Sequence, residues 1–287
     1  MVIHNQHKDR VFKFIFGNPD NKAWTLALYN AINGSQHDNP DDIQFNTIED
    51  AVYLGMKNDV SFIILNELHL WEHQSSYNPN MPMRFFIYAA KLYEKFIADS
   101  EYYPYSSILQ MAPCPKCICF YNGSAEQPER KILKLSEAFG SNSDIEVIVT
   151  MLNINYGKNK ILMEACEPLN EYAWLVDTIR KYQKNFKNLE AAVDAAIRDM
   201  PDNFLIKKFL LLNKAEVKGM FLTEYDQEKV LEQERRDSLK QGIAQTNERV
   251  AIDMLHDGEP IAKIAKYSRL AEEAIRNLAQ SMGVNLG

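Results

Sequence analysis

Two apolar runs separated by two residues constrain this chain more than any other feature. Asp59 to Leu65 (DVSFIIL) and Leu68 to Gln74 (LHLWEHQ) flank Asn66-Glu67. Both runs are apolar and β-prone, and a two-residue break is what a tight hairpin needs. Asn-Glu is not the favoured Asn-Gly, so the turn type stays open. Strand side chains alternate between faces. Glu72 and Gln74 therefore share one side and His73 faces the other. Asp59, on the paired strand, can reach the side of Glu72. Two carboxylates converging at one edge of a sheet make a hard, oxygen-rich site suited to Mg2+. Such an ion activates water and neutralises the oxyanion that develops when a phosphodiester is attacked.

The flanking sequence predicts an α/β fold, a mixed sheet flanked by helices with a helical C-terminal part. Residues 8–16 (KDRVFKFIF) and Ala23 to Ile32 read as helices, and "NGSQHDNPDD" (33–42) as an exposed loop. Ala51 to Gly55 is a short β-prone run. Pro82 suits a first helical turn, and residues 83–98 follow with Phe85, Tyr88, Ala89, Leu92 and Phe96 at helical spacing. Arg84, Tyr88, Lys91 and Lys95 form a second, basic stripe beside that face. Cys117 to Tyr121 is a further strand, closed by Asn122-Gly123, and Ile145 to Met151 another. Beyond about residue 165 the pattern is helical: Trp174 to Phe186, Leu189 to Arg198, Phe204 to Phe221, a long exposed helix over 226–255, then Pro260 to Tyr267 and Ala271 to Met282. The expected organisation is a core over 1–165, a helical extension over 166–225 and a tail over 226–287.

Composition is that of an ordinary globular protein, 46% hydrophobic and 25% charged. No apolar run is long enough to span a bilayer, and the first residues, MVIHNQHKDR, lack the apolar segment of a secretory signal. The expected location is cytoplasmic. A net charge of −7 argues against a large non-specific nucleic-acid surface but leaves room for a local basic groove. Four cysteines are too few for a disulfide scaffold at this length.

The strings KNDVSFII, LWEHQSSYNPNMPMRFFIYAAKLYEKFI and CFYNG, with KDRVFKFIFGN before them and NKAEVKGMFLTEYDQEK after, resemble the recombination-promoting nuclease (Rpn) family. These proteins are often labelled transposases and belong to the PD-(D/E)XK nuclease superfamily. The resemblance covers most of the chain. It implies a restriction-endonuclease-like core and a Mg2+- or Mn2+-dependent DNA endonuclease active in recombination, mobile elements or defence against invading DNA. It implies that Asp59 and Glu72 hold the metal, and that Gln74 stands where many members have lysine. Asp9 would be an additional acidic residue on the first helix. Arg84, with Tyr88, would contact the substrate phosphate. Gln74 cannot stabilise hydroxide by charge, yet its amide can orient water.

Other readings compete. His69-Leu-Trp-Glu72-His73 is an H-x-x-E-H string, the order of inverted zinc proteases. That chemistry needs a helix, because on a strand the two histidines lie roughly 13 Å apart. Cys114, Cys117 and Cys119 suggest a metal knuckle, but core packing along a strand accounts for them better. The tail GEPIAKIAKYSRLAEEAIRNLAQSMGV has a helix-turn-helix pattern. It either docks on DNA or is a helical pair that caps a homodimer or ends the chain. A non-catalytic DNA-binding or assembly protein with a degenerate nuclease core is the alternative to the enzyme.

Overall fold

A computed structural model describes residues 10–46, 59–141, 143–186 and 188–282, with the backbone alone at 224–235, 241, 281 and 282. Asp9 and the run Ala51 to Gly55 lie outside the described residues. The chain divides into two compact units, Met1–Tyr225 and Asp226–Gly287. No helix among the described residues is long and apolar enough to cross a membrane.

The first unit is a mixed α/β fold around a sheet that has six strands among the described residues. Helix α1 (Arg10–Phe16) buries Val11, Phe12, Ile15 and Phe16. Its chain leaves at Gly17, where a side chain would meet the Lys13 carbonyl at 2.8 Å. Helix α2 (Lys22–Asn33) stops at Gly34, whose φ of 64° suits a residue without Cβ. Strand β1 (Gln44–Phe45) pairs with β2 (Val60–Ile64), and β2 with β3 (Glu67–Gln74), both antiparallel. Helix α3 (Met81–Asp99) then crosses over to β4 (Cys114–Tyr121), which lies parallel to β3. The edge strand β5 (Arg130–Lys134) turns back so that β6 (Ile148–Asn153) inserts between it and β4. The resulting order is β1-β2-β3-β4-β6-β5.

The hairpin forms where the apolar runs place it, but its turn sits one residue earlier than expected. Ile64 pairs with Glu67, so Leu65 and Asn66 are the corner, with φ of 46° and 63°. Positive φ at both central residues is the type I′ pattern, whose twist matches that of the flanking strands. The turn sets the register: a turn at Asn66-Glu67 would slide the strands by two residues and put Ser61, not Asp59, opposite Glu72. Strand β2 also starts at Val60, which leaves Asp59 in the bend just before it.

Two cores cover the two faces of the sheet. Leu68, Leu70, Cys119, Tyr121, Val149 and Met151 meet Met81, Phe85, Tyr88 and Leu92 of α3. On the opposite face Phe62, Trp71, Ile118, Phe120 and Leu152 meet α1, α2 and the following helices. These are α4 (Lys160–Ala165), α5 (Glu167–Gln183), α6 (Leu189–Arg198) and α7 (Leu205–Leu212). The run Phe204 to Phe221 is thus not one helix. It breaks at Asn213, and α8 (Lys214–His256) begins earlier than the expected 226. Glu171, buried on α5, accepts from the backbone N–H groups of Leu205 and Ile206 at 2.8 and 2.9 Å. A distant carboxylate so caps the first turn of α7, where four donors lack an intrahelical partner. In the second unit α9 (Ile261–Ser268) and α10 (Glu272–Met282) follow the end of α8.

Candidate active site

Alternation along β3 sorts its side chains. Leu68 and Leu70 pack toward α3, so Glu72 and Gln74 continue that row. His69, Trp71 and His73 enter the opposite core. His69 stacks on Phe62 with ring centroids 5.0 Å apart and an interplanar angle of 8°. His73 stacks on Phe12 at 5.0 Å and bonds Tyr172 Oη through Nε2 at 3.1 Å. The H-x-x-E-H string is therefore on a strand, its histidines locked into an aromatic core and its glutamate on the other side. That is not the arrangement of a zinc protease.

Asp59 and Glu72 are drawn together by backbone as well as by register. The Asp59 N–H donates to Glu72 Oε1 at 3.3 Å, and the His73 N–H donates to Asp59 Oδ2 at 2.8 Å. Glu72 is 1% exposed. A carboxylate so far from water needs compensation, and α3 supplies it. Arg84 Nη2 donates to Glu72 Oε2 at 2.7 Å and to Tyr88 Oη at 2.9 Å. One helical turn separates Arg84 from Tyr88, so both project from one face of α3. Pro82 in the first turn of α3 fixes where that face begins.

Gln74, 8% exposed, completes the group. Its amide satisfies its neighbours in one orientation. Oε1 accepts from Arg84 Nη1 at 2.9 Å and Nε2 donates to the Ser76 carbonyl at 3.3 Å. The reverse would set an NH2 group against guanidinium donors. Arg84 is thus held by Glu72, Gln74 and Tyr88 together. Burial works against its charge, yet Glu72, Tyr88 and Asp59 raise the guanidinium above its ordinary value. Burial, then the Glu72 charge, pushes the Tyr88 phenol up, so it stays protonated. Tyr88 is 2% exposed, and its hydroxyl serves Arg84 rather than opening to solvent.

The donor set is oxygen-rich but largely buried, with Glu72 1% and Gln74 8% exposed. Mg2+ is commonly held by one or two carboxylates and otherwise keeps waters or takes phosphate oxygens. Asp59 and Glu72 are the two carboxylates that could hold such an ion, while the Gln74 amide oxygen is engaged by Arg84. Arg84 already neutralises one Glu72 oxygen. Among the described residues no three His, Cys, Asp or Glu side chains assemble as a metal-holding group. The cysteines do not assemble either: Cys114 is exposed, Cys117 and Cys119 face α3, and Cys166 is buried in the opposite core.

Sequence reasoning missed several polar residues at the same end of the sheet. The Asn122 N–H continues β4 by donating to the Gln74 carbonyl at 3.0 Å. Arg180 of α5 donates to the Asn122 carbonyl and, at 3.0 Å, to Asn155 Oδ1. A side chain on Gly123 would strike the Ser75 carbonyl at 2.2 Å, so glycine lets the two strand ends close. Lys131 of β5 lies on the α3 face, opposite Met151, and donates to Tyr77 Oη at 2.9 Å. No spacing signal links Arg180 to Asn122 or Lys131 to Tyr77, because each pair meets only through the fold. Of the basic stripe, Arg84 and Lys91 are half-buried and Lys95 is exposed. No family model, curated protein or solved structure matches the chain.

Proposed function

We propose that the chain is a metal-dependent DNA endonuclease of the PD-(D/E)XK kind, akin to the recombination-promoting nucleases. The observation that carries this reading is the meeting of Asp59 and Glu72, fixed by the Asp59 N–H on Glu72 Oε1 at 3.3 Å, beside Gln74 and Arg84. Asp59 and Glu72 would hold Mg2+ or Mn2+, which on binding lowers the pKa of a bound water and offsets charge on the attacked phosphate. Gln74 lacks charge, so its part is to orient water through the amide. Arg84 is a fixed cation with a planar fork of donors, suited to a phosphate oxygen. Its present bonds to Glu72 and Gln74 keep that fork aimed and the guanidinium charged.

The Arg84–Glu72 pair also favours a second reading. A carboxylate already neutralised by a guanidinium needs no metal, which is what a non-catalytic DNA-binding protein with a degenerate core would show. One experiment separates the two: plasmid cleavage by the wild type and Asp59→Ala, each in Mg2+, Mn2+ or chelator, with DNA retention measured in parallel. The nuclease reading expects nicking or linearisation by the wild type with metal alone, and none by Asp59→Ala. Retention of DNA without cleavage in any metal supports the second reading.

A further inference from the structure

The unit Asp226–Gly287 has a small core of its own. Ala251 and Leu255 at the end of α8, Ile264 of α9, and Ile275 and Ala279 of α10 are buried together. Three residues, Arg269 to Ala271, join α9 to α10. Arg269 adopts a left-handed φ of 57° and donates its N–H to the Ala265 carbonyl at 3.0 Å. The Leu270 N–H donates to the hydroxyl of buried Ser268 at 3.3 Å. Two short helices joined by so tight a link, packed through one shared core, form a helix-turn-helix.

The outward face of α10 is the informative part. Glu272, Glu273, Arg276, Asn277 and Gln280 are all exposed and recur at helical spacing, so they form one stripe opposite Ile275 and Ala279. Arg, Asn, Gln and Glu are the side chains whose forks match base edges in the DNA major groove. Among the described side chains of the unit, the exposed large apolar ones, Leu239, Ile243 and Tyr267, belong to α8 and α9 and none to α10. A helix pair built to cover a second copy through α10 would carry apolar residues there. Charge agrees with a nucleic-acid partner. Residues 259–282 hold four cations (Lys263, Lys266, Arg269, Arg276) against three anions (Glu259, Glu272, Glu273), with Lys263 paired to Glu259 at 2.7 Å, in a chain whose net charge is −7. The Glu272–Arg276 contact is an exposed pair at 3.6 Å, which a phosphate or base edge can replace at little cost.

We propose that α10 is the recognition helix of a double-stranded DNA docking module, reading bases through Arg276, Asn277 and Gln280. Lys266 of α9 contacts a phosphate. The proposal deepens the nuclease reading, since it supplies the choice of where DNA is engaged, but it is tested without cleavage.

The experiment uses the full chain carrying Asp59→Ala, in chelator. A random duplex library is selected for binding, and the enriched duplex is titrated by fluorescence anisotropy. An enriched sequence is expected. Arg276→Ala with Asn277→Ala weakens binding to it by about tenfold or more, with binding to unselected duplex unchanged within about twofold. Lys266→Ala weakens both duplexes alike and lowers the salt slope by about one. All these side chains are exposed, so circular dichroism of each variant should match the parent. No enriched sequence, or equal affinity of the Arg276/Asn277 variant for it, overturns the proposal. Loss of self-association in that variant with unchanged DNA binding overturns it too, and makes the stripe a subunit contact. Absence of cleavage in the wild type would sink the nuclease reading and leave this result untouched.

Discussion

The two faces of β3 carry opposite burdens although their residues alternate along one strand. On one side His69, Trp71 and His73 are packed among Phe12, Phe62, Phe120 and Tyr172. On the other, Glu72 and Gln74 meet Arg84 and Tyr88, with Asp59 beside them. The aromatic face needs no charge to be stable. The polar face is stable only because every partner is in place. A string that suggests metal-binding histidines is therefore divided by the pleat into a core half and a chemical half.

The largest effect on stability is expected on the aromatic side. Trp71→Ala removes a fully buried ring that meets Phe62 at 4.8 Å and Phe120 at 5.5 Å. Denaturant unfolding should show a loss of about 3–5 kcal/mol. A loss below about 1 kcal/mol would mean that this face is not a packed core. Next comes the polar side. Arg84→Ala leaves Glu72 without its cation and should lose about 2–4 kcal/mol, reduced from the cost for a fully buried pair because the Arg84 side chain is 30% exposed. Adding Glu72→Gln should recover part of that loss. An additive double mutant would break the comparison, because the two faces would then depend equally little on pairing.

A smaller effect is set by pH. Burial holds His69 below its ordinary value, against the opposing pull of Glu67 at 3.0 Å, with Lys116 beyond Glu67 lowering it further. The Tyr29 ring packs on the imidazole edge, and its hydroxyl also bonds Glu67. His69 Nδ1 is buried without an acceptor, so protonation there would strand a charge. The unfolded chain takes up the proton near the ordinary value of 6.5, whereas the folded chain does so only at lower pH. The stability contributed by neutral His69 is therefore complete above about pH 6.5 and is lost as pH falls through the lowered value. His69→Phe should flatten the decline in unfolding free energy between pH 7.5 and 5, and an unchanged decline would assign it to other groups. The smallest effect lies at the hairpin corner. Leu65 is 57% exposed and held at φ of 46°, so Leu65→Gly should raise stability by about 1 kcal/mol. A drop in melting temperature would show that the leucine side chain matters more than its strain.

The hairpin, α3 and the side shared by Glu72 and Gln74 were legible because period-two and helical patterns are local. Leu189 to Arg198 also matches α6 to the residue. The turn moved to Leu65-Asn66 because pairing register overrides the usual distaste of leucine for left-handed φ. Strand β5 was not anticipated, since Arg130, Lys131 and Lys134 dominate it, as befits an edge strand that must resist further pairing. Strand β1 is only two residues long. The strand expected over Ile145 to Met151 is shifted to Ile148–Asn153 because its place is set by pairing with β4 and β5. At the candidate site, the Arg84–Glu72 bond followed from no pattern. It joins a helix face to a strand face across twelve residues, and the fold alone defines that distance.

The central claim is that the polar face of β3 is a metal-dependent phosphodiesterase centre. Cleavage of supercoiled plasmid by Glu72→Gln and by the wild type in Mg2+ tests it most directly. The substitution keeps the shape of the side chain and removes its charge. The account predicts that the wild type nicks the plasmid, that chelator stops it, and that the folded Glu72→Gln protein is at least about 100-fold slower. Equal cleavage by the two proteins, or cleavage that persists in chelator, would contradict it.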